Sequence, residues 1–180
     1  KAGYNLSTSD KNPNMIVPFQ HTLIELGIEH ATTISPWLDL DKHFKKGSFD
    51  LLLNRGNSFI YAAGGWNQMA GIAREESLDL MRQTLKIYYD LLKPGGHLYI
   101  DKFRDSEIPD KKVAARLNIE NTNEQKDIVF YVERKPEQSV RFAQMLLRDK
   151  DGVEKGLPNV AYDLSSDEME SLLKEAGFKA

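Results

Sequence analysis

The chain has 180 residues, 41% hydrophobic and 28% charged, the balance of one globular domain, which excludes a disordered or collagen-like chain. Lys and Arg number 24 against 27 Asp and Glu, a formal charge of −3, so no basic field exists to draw in nucleic acid and a small ligand is the better default. There is no cysteine, the four histidines His21, His30, His43 and His97 lack metal-ligand spacing, and no apolar run reaches the roughly 20 residues that cross a bilayer.

Short apolar runs alternate with amphipathic stretches, the pattern of an α/β protein. AGYNLSTSD reads as a strand ending at Asp10. Asn12 stands where a helix N-cap belongs and Pro13 at the first helical position, with Pro18 expected to kink or interrupt the helix. HATTISPW is a second strand, broken at Pro36. GSFDLLLNRGNSF is a third, and its continuous run Phe49 to Leu53 suits a parallel strand covered on both faces. After an irregular stretch from Tyr61 to Gly71, in which Trp66 reads as packing or a loop anchor, a helix is expected from about Glu75 to Leu92. Its face is Leu78, Met81, Leu85, Tyr88 and Leu92. Lys93-Pro94-Gly95-Gly96 forms a turn into HLYID, a strand ending at Asp101.

From Ser106 to about Asp127 the sequence is polar, and the charge runs Asp110-Lys111-Lys112 and RDKDGVEK read as solvated loops. DIVFYVER and SVRFAQMLLRD look like antiparallel strands, with NVAYDL a third. Ser165 and Glu168 make a capping box for a last helix closed by Gly177. The expected organisation is a core of residues 1–105 and 164–180, interrupted by an insertion over 106–163.

These segments resemble the class I methyltransferases that use S-adenosylmethionine, most closely the glycine and sarcosine N-methyltransferase family. The resemblance runs from Gly3 to Phe178. It rests on SDKNPNMI with Asp10 and Met15, SPWLDLDK with Trp37, FDLLLNRGNSF, and LLKPGGHLYID. The fold it implies is a Rossmann-like sheet, incomplete here, with the antiparallel insertion acting as a substrate lid. The family's first strand with its Gly-rich loop and its final two strands have no counterpart, so a chain truncated at both ends is expected. The family's arginine lies two residues beyond the strand-end aspartate, whereas Arg104 lies three beyond Asp101.

The resemblance implies S-adenosylmethionine as cofactor, S-adenosylhomocysteine as product and a small amine or amino acid as substrate, with glycine, sarcosine and betaine synthesis in view. Asp10, at a strand's carboxyl end, would accept the ribose hydroxyls or serve as a turn residue. Met15, Trp37 and Leu38 would wall the adenine, or pack in the core, and Asn54 and Arg55 would meet the cofactor at the next strand end. Asn57 would position the substrate, with an Asx-turn as the alternative; Arg104 would clamp a carboxylate or pair with a neighbouring aspartate. Tyr131 and Tyr162, in the insertion, would close over the substrate, and Asp101 is expected to be structural. No metal, nucleic acid or membrane partner is expected; a homo-oligomer and a cytoplasmic location are consistent with the reading. Methylation of another small molecule, or a non-catalytic scaffold of the same fold, stands as the alternative.

Overall fold

The computed structural model describes residues 5–62, 65–66, 74–102, 111–118, 125–135, 140–152 and 154–179. Strand β1 (Ser7–Asp10) leads into helix α1 (Pro13–Glu25), and the chain returns as β2 (Ala31–Ile34), parallel to β1 with Asp10 opposite Ile34. The Asn12 side chain accepts the Asn14 N–H, and Pro13 occupies the first turn, where its missing N–H removes no helical bond. Helix α1 is not interrupted at Pro18 but continues through it. The carbonyl deprived of a partner is that of Asn14, in the exposed first turn, where water can serve it.

A second parallel pair joins β3 (Phe49–Asn54) to β5 (Leu92–Ile100) through helix α3 (Arg74–Leu91). Between β2 and β3 lie a 3-10 turn, Trp37–Asp39, and the short helix α2 (Leu40–His43). The face of α3 expected from the apolar spacing is the buried one: Leu78, Met81, Leu85 and Tyr88 are enclosed, with Leu91 and Leu92 at its end. Leu78, Met81, Leu85, Tyr88 and Leu91 pack with Phe59 and Ile60 from the 3-10 turn Ser58–Tyr61 and with Tyr162 and Leu164 in one core.

Strand β3 departs from expectation. It alternates rather than lying covered on both faces: Leu51 and Leu53 are 51% and 60% exposed, beside exposed Tyr99 of β5, while Leu52, Asn54, Leu98 and Ile100 turn inward. A short apolar run has no period to separate these cases, and here α3 covers only one side.

The ladder jumps from Phe49–Leu92 to Leu51–His97, so Lys93–Gly96, expected as a turn ahead of the strand, is a bulge within it. Gly96 permits that close approach. A Cβ there would lie 3.0 Å from the Lys93 carbonyl oxygen, 3.1 Å from that of Phe49 and 3.2 Å from that of Asp50.

The remaining strands form an antiparallel sheet in the order β4 (Gly65–Trp66), β9 (Glu154–Tyr162), β8 (Val140–Arg148), β7 (Gln125–Lys135), β6 (Lys111–Asn118). Strand β6 falls in the stretch read as polar and loop-like, and Lys111 and Lys112 open it rather than lying in a loop. It is the edge of the sheet, where charged side chains discourage further pairing and so mask the strand signal. Helix α4 (Ser166–Glu175) begins with the expected capping box, both halves present. Among the described residues no helix is long and apolar enough to cross a membrane.

Substituting Gly96→Ala is expected to cost about 1–3 kcal/mol, because three backbone oxygens must move to admit one methyl group. A denaturant melt checks this, and an unchanged midpoint would contradict the bulge geometry.

Candidate functional site

In parallel sheets the carboxyl ends of the strands are where side chains gather around a ligand. Strand β1 ends on Asp10, and the Asn12 N–H donates to its Oδ1 at 2.7 Å. The turn is therefore shaped by Asp10, while Oδ2 has no protein partner among the described residues. The Ser35 N–H donates to the Asp10 carbonyl at 3.0 Å, extending the ladder past β2 and leading through Pro36 to Trp37.

Trp37 is half-buried and stacks on Phe59, centroids 6.5 Å apart at an interplanar angle of 24°. Its other neighbour is Tyr88 of α3, edge-on at 6.5 Å and 68°. Tyr88 in turn accepts a hydrogen bond from the Asn54 Nδ2 at 2.9 Å, and both residues are buried. Burial raises the Tyr88 hydroxyl well above the ordinary tyrosine value, against the smaller opposing pull of Asn54, so it stays neutral. The Asn54 Oδ1 is buried without a partner among the described residues, so within that set Tyr88 alone anchors the amide.

Beyond Asn54 the chain turns at Gly56 (φ 78°) and Asn57 (φ 56°). Both residues sit in the left-handed region, which glycine enters freely and asparagine more readily than most. Asp101, just beyond β5, closes this turn: its Oδ1 accepts the Asn57 N–H at 2.6 Å, and its own N–H donates to the Asn54 carbonyl at 3.3 Å. Asp101 is structural, as expected. Asn57 is buried, and Arg55 is exposed with no ion-pair partner among the described residues.

The structure thus brings Asp10, Trp37, Asn54 and Asn57 to the carboxyl ends of the two parallel pairs, with Leu38 half-buried beside Trp37. Met15, in the first turn of α1, is 61% exposed. Tyr162, at the end of β9, is not among them, though it shares the core with Phe59 and Tyr88. It is 1% exposed, and its hydroxyl donates to Glu168 Oε1 at 2.7 Å. Arg104 and the side chain of Tyr131 lie outside the described residues; the backbone of Tyr131 is in β7, opposite Gln144. Among the described residues no three His, Cys, Asp or Glu side chains are grouped to hold a metal.

Sequence reasoning missed Tyr88 and Phe59 as parts of this site. Tyr88 had a signal, being the one aromatic residue on the buried face of that helix.

No family model and no curated protein matches the sequence. Solved structures do match. An S-adenosylmethionine-dependent methyltransferase from Clostridium acetobutylicum aligns with 96% of this chain and 63% of its own, at TM-score 0.66 and 14% identity. A sugar N-methyltransferase from Streptoalloteichus aligns with 95% of this chain and 62% of its own, at TM-score 0.65 and 16% identity. The fold is that of these methyltransferases. An amino pentose methyltransferase from Micromonospora echinaspora, solved with S-adenosylmethionine bound, aligns with 95% of this chain at TM-score 0.62 and 15% identity. The chain spans less than two thirds of each: 63%, 62% and 64% of their lengths.

Tyr88→Phe would keep the ring beside Trp37 but leave the Asn54 amide buried with no partner. A loss of about 1–3 kcal/mol in unfolding free energy is expected. Chemical denaturation measures it, and a wild-type midpoint would mean that the pair does not anchor the strand end.

Proposed function

We propose that the protein is an S-adenosylmethionine-dependent N-methyltransferase acting on a small amine, with glycine or sarcosine as the substrate class. One observation carries this reading. On a fold shared with such enzymes, the carboxyl ends of two parallel strand pairs gather a carboxylate at Asp10, an aromatic wall at Trp37 and an amide-lined turn from Asn54 to Asn57.

Bound there, S-adenosylmethionine would supply an electrophilic methyl group on a sulfonium. The residues present fit that group. Asp10 Oδ2 is an acceptor in want of donors, suited to ribose hydroxyls. Trp37 and Leu38 offer the flat apolar surface that a purine needs, and Met15, exposed in the first turn of α1, would meet the adenine as the family resemblance implies. Arg55, exposed and unpaired among the described residues, suits the amino-acid carboxylate. Asn57, held in place by Asp101, orients the amine. In the resemblance Arg104 holds a substrate carboxylate and Tyr131 covers it; Tyr162 acts through Glu168. The leaving sulfide is neutral, so the work left to these side chains is alignment, holding the nitrogen lone pair about 3 Å from the methyl carbon.

A second reading, methylation of an amino sugar, is favoured by the sugar N-methyltransferase and the amino pentose methyltransferase among the structural neighbours. The amino-acid reading is favoured by SPWLDLDK and FDLLLNRGNSF.

Calorimetry with S-adenosylhomocysteine, followed by methylation assays on glycine, sarcosine and an aminodeoxy sugar, separates these readings. Asp10→Ala is expected to weaken binding at least about tenfold, the worth of a lost charge-assisted hydrogen bond. Asn57→Ala is expected to spare binding and slow transfer by a similar factor. Absence of binding by the wild-type protein would leave only a scaffold role, and transfer to the sugar alone would replace the amino-acid reading.

A further inference from the structure

The chain passes between the parallel core and the antiparallel sheet at four places: into β4 after Tyr61, out of β4 to α3, from β5 to β6, and from β9 to α4. Three of these crossings end on the first turn of α4. Arg74, the first residue of α3, donates from Nη2 to Glu168 Oε1 at 2.9 Å. Tyr162, the last residue of β9, donates to the same oxygen. Lys102, two residues beyond β5, donates from Nζ to Ser166 Oγ at 3.2 Å.

We infer that Glu168 is a positioning residue for the substrate side of the reaction, joining the antiparallel sheet to the turn that carries Asn57; the inference rests on the methyltransferase reading above. Its two oxygens divide the work. Oε2 serves the helix, accepting the Ser165 N–H at 3.0 Å and the Ser165 hydroxyl at 3.1 Å. Oε1 serves no capping function; among the described residues it takes Tyr162 and Arg74, each from another element. A capping box needs only the Ser165 N–H on Oε2 and, in return, the Glu168 N–H on the Ser165 Oγ at 3.2 Å, so the two bonds at Oε1 are an added role.

The joint reaches the site through packing. Ala161 and Tyr162 share the core with Phe59 and Ile60, and β9 lies against the turn Ser58–Tyr61 that directly follows Asn57. Moving the end of β9 therefore moves the turn. The carboxylate is also kept charged: burial opposes ionisation, but the Ser165 N–H, the Tyr162 hydroxyl and Arg74 together outweigh it and hold Glu168 below the ordinary glutamate value. The Tyr162 hydroxyl is pushed up to about 12, first by burial and then by Glu168, so it remains the donor.

Glu168→Gln separates the two oxygens' roles. A glutamine oxygen can still accept the Ser165 N–H, which turns its NH2 toward Arg74, donor against donor. Tyr162→Phe removes only the bond from β9. Hydrogen exchange is expected to quicken about tenfold or more over residues 154–162 and 58–61 in both variants, while 166–175 stays within about twofold of wild type. In turnover, affinity for S-adenosylhomocysteine should hold within about twofold while methyl transfer falls about tenfold or more. Loosening of 166–175 in step with 154–162 would reduce Glu168 to a helix cap and overturn the inference, as would unchanged exchange over 154–162. A wild-type protein that does not bind S-adenosylhomocysteine overturns the methyltransferase reading instead, and with it any role in the reaction.

Discussion

Two pairs of parallel strands that, among the described residues, share no hydrogen-bonded ladder meet at the ring of Trp37. The tryptophan leaves the end of β2, lies on Phe59 from the turn after β3, and meets the edge of Tyr88 on α3. Aromatic pairs of this kind add roughly 0.5–1.5 kcal/mol each beyond the area they bury. Their larger consequence is geometric. The carboxyl ends of β1 and β3 are set relative to each other by side-chain packing, so whatever binds across them reads the position of one indole. The same contact leaves Trp37 only half-buried, with surface free to serve as the flat apolar wall that the proposed cofactor would need.

A second level of constraint surrounds the turn at Asn57. Asp101 fixes it from β5 through one backbone hydrogen bond, and the base of β9 buttresses it from the antiparallel sheet through Phe59 and Ile60. The turn thus lies between a polar clamp and an apolar support belonging to different layers. A positive φ at Asn57 holds against its intrinsic cost because both neighbours fix it. Glu168 extends this arrangement, since its carboxylate collects one group from α3 and one from β9 at the start of α4.

Legibility in the sequence tracks the range of the interactions. The capping box of Ser165 and Glu168 is a matter of three residues, and the buried face of α3 a matter of period, so both were legible. The end of β1 at Asp10 was legible because strand ends are marked by turn residues, and Asn54 and Asn57 at the end of β3 were picked out through the family resemblance. The bonds that give those ends their shape were not: Asn54 reaches Tyr88 across 34 positions, and Asn57 reaches Asp101 across 44. Strand β6 was hidden by its own lysines and arginine, which suit an edge and imitate a loop. The open face of β3 was hidden by its leucines, since an uninterrupted apolar run is the same whether one side or both are covered. Tyr162 was legible as a tyrosine in a strand, but its tie to Glu168 was not, because the capping role of that glutamate already accounts for its presence.

The structure of the complex with S-adenosylhomocysteine is the most direct test of a ligand site across the two strand pairs. The purine is expected against Trp37, the ribose hydroxyls on Asp10 and the amino-acid end beside the turn from Asn54 to Asn57. A ligand bound elsewhere, with the Asp10 carboxylate and the Trp37 ring untouched, would contradict that site.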